Sequence, residues 1–416
     1  MRATACLLLI VSTAAACQGG QAASPSPEII IASNMPMSAS PDRFAIWEQA
    51  VGYAISQQSS VDGYRIGYWP LDSSLGGDQS QLRGRENVKR MIADRRVLGM
   101  VGPVSSFVGK VEMPEANLAD LAMVSPSTTN SCLTVTSPEL NCSPSPGELR
   151  PAGSNNFFRI APRDPLQGRA MGEYAATKLG RKRVAALNEV GREGTLYVKE
   201  FSTAMQKHGG EVVYQADISE DNSNFTDFLQ QAKNRGADAV YAVGVQDPNQ
   251  NLHACDAAAQ MAVVMPGAYF LSMDGITFNR DCVQHLGGAP PNVYATLGAV
   301  DPGKSTDPNV RKTVEAFLKA HPFNFEATSY TVYTFAAYDC ARILMEAIKR
   351  AIRSDGAKFP SRKQVVAALA QPPEFVGLTG SYSFDANGDA LKPMMSIYKV
   401  DGGAWRFVQV YHLGAQ

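Results

Sequence analysis

Past its first two dozen residues the chain has no apolar run near the roughly 20 residues that a membrane-spanning helix requires. It also lacks an excess of either charge. Its 38 Lys and Arg stand against 39 Asp and Glu, a net charge of -1, which argues neither for a nucleic-acid partner nor for an acidic surface. No two cysteines sit in a CxxC spacing and the five histidines are scattered, which removes the usual metal sites. GxSxG, Walker and HExxH motifs are absent. His208, His253, His285, His321 and His412 have no partner at a plausible strand end. The expectation is a protein that is not an enzyme, with no metal and no cofactor.

What is present is ample apolar material. Of 416 residues, 45% are hydrophobic and 19% charged, an ordinary soluble composition with enough length for two to three domains. The most informative stretch runs from Val97 to Thr129, as VLGMVGPVSSF and then AMVSPSTTNSC. Two short apolar runs, 97–101 and 121–124, each stop at a cluster of Gly, Pro, Ser and Thr, which reads as a buried parallel strand ending in a loop. In open α/β sheets ligands lie beyond the carboxyl ends of the strands. Hydroxyls and free N–H groups there can hold a small anion such as a carboxylate.

Strand and helix patterns alternate from residue 28 onward. Strands are expected at 29–32, 64–69, 97–101 and 121–124, with helices at 43–57, 83–94 and 108–118 between them. The segment 125–153, rich in Ser and Pro, breaks the rhythm and reads as an exposed insertion. The rhythm restarts with strands at 157–160, 183–188, 212–218, 240–243 and 268–271, and helices at 168–179, 196–207, 225–235 and 252–261. Such alternation means covered parallel sheets, and two successive units point to two Rossmann-like lobes. Helices at 310–320, 330–353 and 363–370 follow. A closing antiparallel hairpin is expected at 395–400 and 405–411 around Asp401-Gly402-Gly403.

The N-terminus resembles a bacterial lipoprotein signal. Arg2 precedes the apolar segment 7–11, the small residues Ala14-Ala15-Ala16 come next, and then Cys17. The expectation is a signal peptide over 1–16, lipidation of Cys17, and a flexible tether over 17–27. Exported proteins favour disulfides. Cys132 and Cys142 flank a short Ser- and Pro-rich loop and are expected to pair. Cys255 and Cys282 are the second expected pair, and Cys340 reads as a buried free thiol.

In order, Met35-Pro36-Met37-Ser38, Val101-Gly102-Pro103-Val104-Ser105-Ser106, Ser125-Pro126-Ser127-Thr128-Thr129, Phe270-Leu271-Ser272-Met273-Asp274-Gly275 and the closing segment 380–389 resemble landmarks of the type I periplasmic binding proteins. The branched-chain amino acid binding proteins that feed ABC importers are the branch resembled. The resemblance implies three interlobe crossovers, near 160, 299 and 377. One lobe would be 28–160 with 299–377, the other 161–298 with 378–416, closing on a ligand about a hinge.

It implies that Ser106 and Thr129 bind a ligand carboxylate, that the Ser127 carbonyl faces its ammonium, and that Asp274 pairs with that ammonium. Ser105 and Thr128 belong to the same loops, where their plain alternatives are a helix cap and a turn. Met37, with Ser38 and Trp69, would shape the side-chain pocket, although core packing is the plainer role for Trp69. Where relatives place aromatic residues over the ligand, this chain has Glu193 and, beside Val245, Gln246. That departure favours a polar or cationic ligand. The implied partners are a small amino-acid-like ligand and a membrane permease, with the protein a monomer held extracytoplasmically by its lipid. A ligand sensor of the same fold, or a binder of an aromatic acid, amide or short peptide, is the alternative.

Overall fold

A computed structural model describes residues 29–413 except 138, 190–193, 219–221, 244–253, 278–281, 284–285, 287–291, 323–328, 357 and 372. The expected signal, Cys17 and tether, and Glu193 and Gln246, lie outside the described residues. The first half runs β1 (Ile29–Met35), α1 (Pro41–Ser56), β2 (Ser60–Val61), β3 (Tyr64–Asp72), β4 (Ser74–Leu75), β5 (Asp78–Gln79), α2 (Gln81–Ala93), β6 (Val97–Val101), α3 (Ser106–Leu118), β7 (Ala122–Ser125) and β8 (Phe157–Arg159). The chain continues as α4 (Asp164–Thr177), β9 (Arg183–Glu189), α5 (Gly194–Lys207), β10 (Glu211–Ile218), α6 (Thr226–Asn234), β11 (Ala239–Ala242), α7 (Ala254–Val264), β12 (Tyr269–Ser272), α8 (Asp274–Thr277) and β13 (Val293–Leu297). It ends with α9 (Pro308–Ala320), α10 (Ser329–Ser354), α11 (Arg362–Leu369), β14 (Phe375–Val376), β15 (Ser381–Tyr382), β16 (Met394–Asp401) and β17 (Ala404–His412).

Two sheets organise these elements. The first has the order β2-β3-β1-β6-β7-β8 and the second β10-β9-β11-β12-β13-β16-β17. Strands β3, β1, β6, β7 and β8 are parallel, as are β10, β9, β11, β12 and β13. The expected C-terminal hairpin is β16–β17, and β16 joins the second sheet antiparallel to β13. Both faces of each sheet are buried. Ile30, Val97, Met100, Met123 and Phe157 point to one core, while Ile29, Ile31, Leu98, Val101, Val124 and Phe158 point to another. Two-sided burial is why the strands read as continuous apolar runs instead of alternating ones.

Helix α10 packs on the first sheet's side of the molecule. It lies along α1 and reaches β6 and β7, and Arg353 and Arg342 hydrogen-bond to Asp62 and Gln58. Residues 160–161 after β8, 298–300 after β13 and Met394 at the start of β16 line one small crevice with Ala336, Thr379 and Tyr382. Asp339 of α10, fully buried, accepts from the backbone N–H of Leu378 and Thr379, each at 2.7 Å. Gly377 is required there, because a Cβ would stand 2.5 Å from that carboxylate.

Several expectations are corrected. Helix α4 begins at Asp164, not at 168, and α1 at Pro41, not at 43. Pro41 and Pro165 stand at the first helical positions, where proline is tolerated because those N–H groups have no intrahelical partner. Segment 125–153 is not wholly exposed. Thr128, Ser131, Leu133, Thr134 and Leu149 are buried, with Leu133 and Leu149 in the core beneath Phe157. Cys132 is bonded to Cys142 and Cys255 to Cys282, and Cys340 is buried and free.

Helices α4 and α5 pack backbone to backbone at Gly168 and Gly172, where an added Cβ would fall 2.3 Å from the Tyr197 carbonyl oxygen and 2.5 Å from that of Phe201. Backbone cannot yield as a side-chain tip does, so Gly172→Ala should destabilise the fold by about 1–3 kcal/mol. Urea unfolding measures it, and an unchanged midpoint would contradict the close packing.

Candidate functional site

The carboxyl ends of β6 and β7 carry two loops, 102–106 and 126–130, that are stitched to each other. The Ser125 hydroxyl donates to the Pro103 carbonyl at 2.7 Å, and the Ser127 hydroxyl to that of Val104 at 2.7 Å. Asn130 N–H donates to Ser106 Oγ at 3.3 Å. Thr128 is buried, with its N–H 3.0 Å and its hydroxyl 2.6 Å from Ser125 Oγ. Ser105 is the N-cap of α3, accepting from Val108 N–H at 3.2 Å.

These contacts sort the residues singled out in the sequence. Ser105, Thr128 and the Ser127 side chain build the loops. Ser106 sits in the first turn of α3, where N–H groups lack intrahelical partners and the helix dipole adds partial positive charge. Its oxygen accepts from Asn130, which leaves its hydroxyl proton for another acceptor. Thr129 is half-buried, and its hydroxyl has no partner among the described residues. What results is a compact set of neutral donors fit for a carboxylate.

Beside it, Met37 is partly buried against the large core, and its loop is tied down by Ser38, which donates its hydroxyl and its N–H to Asp72. Trp69 packs against the core under Arg90. Beneath this loop runs a buried polar chain. Asn34 donates to Glu112 Oε1 at 2.6 Å, Asn87 donates to Asn34 Oδ1 at 2.8 Å, and Asn87 also donates to the Asp72 carbonyl at 2.8 Å. Burial pushes the Glu112 carboxyl up to about 8, against the lowering effect of Asn34.

On the opposite side, Asp274 follows β12 and is 6% exposed. Its N–H donates to Gln167 Oε1 at 3.3 Å, and its Oδ2 accepts from the Tyr333 hydroxyl at 3.3 Å. Burial first, and then the charge of Asp164, raise its carboxyl to about 7, partly offset by Gln167, Tyr333 and the Gly275 N–H. Tyr333 belongs to α10 and packs near Trp47 of α1, with ring centroids 5.6 Å apart. Asp274 is therefore bound to an element of the other sheet's layer. A second link crosses beside it, as Asp164 N–H donates to the Thr129 carbonyl at 2.9 Å. The carboxyl ends of the two sheets thus meet, donors on one side and an acid on the other.

Sequence reasoning missed Asp164, Gln167 and Tyr333. Asp164-Pro165 carried a helix-start signal, an acid followed by proline. Tyr333 sat unmarked in an apolar helical run. Glu193 and Gln246 lie outside the described residues. No group of three or more His, Cys, Asp or Glu that could hold a metal occurs among the described residues.

A family model described as periplasmic binding protein matches residues 47–404. A Brucella melitensis protein named Leu/Ile/Val-binding protein homolog 3 is 25% identical over 256 residues, 62% of this chain and 64% of that relative's length. The leucine binding protein LivK of Thermotoga maritima superposes with a TM-score of 0.67 at 22% identity, covering 92% of this chain and 98% of its own. A solute binding protein from R. palustris, solved with benzoate, superposes with a TM-score of 0.62 at 17% identity, covering 92% and 96%.

The Glu112 carboxyl gives a measurable signature. Its folded value near 8 lies above the ordinary 4.5, so the stability it contributes is full below about 4.5 and is lost as pH rises towards 8. Glu112→Gln should flatten that decline and raise the melting temperature at pH 8. Parallel melting curves for the two proteins between pH 5 and 8 would contradict a neutral buried Glu112.

Proposed function

The chain belongs to the periplasmic binding protein family, and on that footing we propose that it is the extracytoplasmic solute-binding component of an ABC importer. It takes an amino acid or a related small carboxylate between two lobes, closes, and delivers it to a membrane permease. The observation that carries this reading is the pairing of opposite chemistries across the meeting sheet ends. Ser106, Thr129 and the N-terminus of α3 suit a carboxylate, and Asp274 suits an ammonium group. Closure removes water from both charges and strengthens their contacts. The proposed lobes are 28–160 with 299–377 and 161–298 with 378–416, the last segment bridging Arg159 of β8 at Asp389 before it enters the second sheet. Cys17 would anchor the protein, as a monomer, through its lipid.

The printed names of the Brucella and Thermotoga relatives favour an aliphatic amino acid as the first ligand to try. The benzoate held by the R. palustris protein favours a second reading, an aromatic acid on the same carboxylate loops. That ligand would leave Asp274 without a counter-charge, so the amino acid is the better fit.

Thermal-shift measurements over amino acids, amides, polyamines and aromatic acids decide between them. A ligand at 100 times its dissociation constant adds about 2.7 kcal/mol. Because Asp274 holds a proton up to about pH 7, amino-acid affinity should weaken as pH falls below 7, and Asp274→Asn should bind weakly with that pH dependence gone. Ser106→Ala and Thr129→Ala should each weaken binding by roughly tenfold, the effect of about one hydrogen bond to a charged group. Stabilisation only by ligands without an amino group would overturn the role of Asp274, and unchanged affinity in both hydroxyl variants would overturn the carboxylate site.

A further inference from the structure

We propose that Arg159, paired with Asp389, is a positioning residue that fixes the carboxylate loop at 126–134 to the crossing between the sheets, so that the loop is formed before any ligand arrives. The proposal rests on the reading of that loop given above.

Arg159 ends β8 and is completely buried. Its Nη1 donates to the carbonyls of Thr128 at 3.3 Å and Asn130 at 2.8 Å, the residues on either side of Thr129. Its Nη2 donates to Thr134 Oγ1 at 2.5 Å and its Nε to Asp389 Oδ1 at 2.6 Å. One guanidinium therefore grips the loop at three places, using the rigid fork that a lysine does not have.

Asp389 lies 230 residues away and is placed by backbone geometry. Arg159 N–H donates to the Gly388 carbonyl at 2.9 Å. Residue 388 must be glycine, since φ is +85° and a Cβ would lie 1.9 Å from the Phe157 carbonyl oxygen. Asp385 Oδ1 accepts from the N–H groups of Asn387 and Asp389 at 2.8 and 2.9 Å and shapes the turn. The second oxygen of Asp389 accepts from the Thr134 hydroxyl at 3.0 Å and lies 3.2 Å from Arg163 Nε.

Arg163 stands across the crossing, at the N-cap of α4, immediately before the Asp164 that bonds Thr129. Asp389 thus touches one arginine on each side of the passage. A buried guanidinium stays charged, and removing this partner would leave that charge uncompensated at a large cost in stability, so the returning chain and the loop are specified together. Arg163 is 27% exposed and its side chain meets Asp389, with no bond to the loop among the described residues, so lobe movement can alter its contact without disturbing Arg159.

Amide hydrogen exchange on the ligand-free protein tests this. Asp389→Asn should speed exchange across 126–134 by at least tenfold and Thr134→Val by severalfold, with β9 and β11 unchanged and Arg163→Gln leaving the loop at wild-type rates. Affinity for L-leucine, used as the probe, should fall about tenfold in Asp389→Asn at an unchanged maximal binding stoichiometry, and Asp389→Glu should restore part of it. A loop with wild-type exchange in both Asp389→Asn and Thr134→Val would overturn the proposal, as would acceleration no greater than that of β9 and β11. Should Asp389→Asn fail to fold, Thr134→Val alone decides. A wild-type protein that ignores L-leucine strikes the ligand reading, whereas the exchange rates still judge the clamp.

Discussion

A guanidinium sealed from water must have its charge matched and its donors filled, and Arg159 meets that demand with groups drawn from distant parts of the chain. The β7–β8 connection, the turn at 385–389 and the first crossing between the sheets all converge on it. None of them can take another conformation without leaving a buried charge unpaired. The stitched loops at 102–106 and 126–130 inherit their fixed shape from this point, and so does the hydroxyl of Thr129.

Other buried acids serve the same architecture with the charge suppressed or shared. Glu112 is held up to about 8 by burial and props the Met37 loop through Asn34 and Asn87. Asp339 is raised to about 6 by burial, opposed by the N–H groups and hydroxyl that fix the chain at 378–379. Asp274 differs, because its neighbours include another acid, Asp164, and a tyrosine hydroxyl from the opposite layer. Among the described residues it has partners that orient it, Gln167 and Tyr333, and no cation bonded to it. In this it differs from Asp389, which sits between two arginines. The contrast places Asp389 in the frame and supports the proposal that Asp274 meets a ligand ammonium.

Much of the fold was legible in the sequence because parallel strands buried on both faces leave continuous apolar runs ended by loop residues, as at Val97–Val101. The Cys132–Cys142 disulfide and the closing hairpin were legible for local reasons, spacing and turn chemistry. The starts of α1 and α4 were not, since proline breaks a helix interior yet fits its first turn. Nor was the burial of Leu133 and Leu149, because a Ser- and Pro-rich composition hides isolated apolar anchors. Of the candidate site, the place of the two Ser/Thr loops and of Asp274 at the carboxyl ends of strands was legible from the apolar runs that precede them. The division of labour within the loops could not, because a hydroxyl that binds a ligand and one that braces a turn look alike until the packing is seen. Arg159 was invisible for a different reason. Its partner lies 230 residues on, and neither residue has a local pattern that announces a pair.

The proposed function requires a zwitterion to lie between the loop donors and Asp274. The direct measurement is a crystal structure with the L-amino acid that stabilises the protein most. Its carboxylate should lie within hydrogen-bond distance of Ser106 and Thr129 and its ammonium within that distance of Asp274. A carboxylate bound elsewhere, or an ammonium turned away from Asp274, would contradict it.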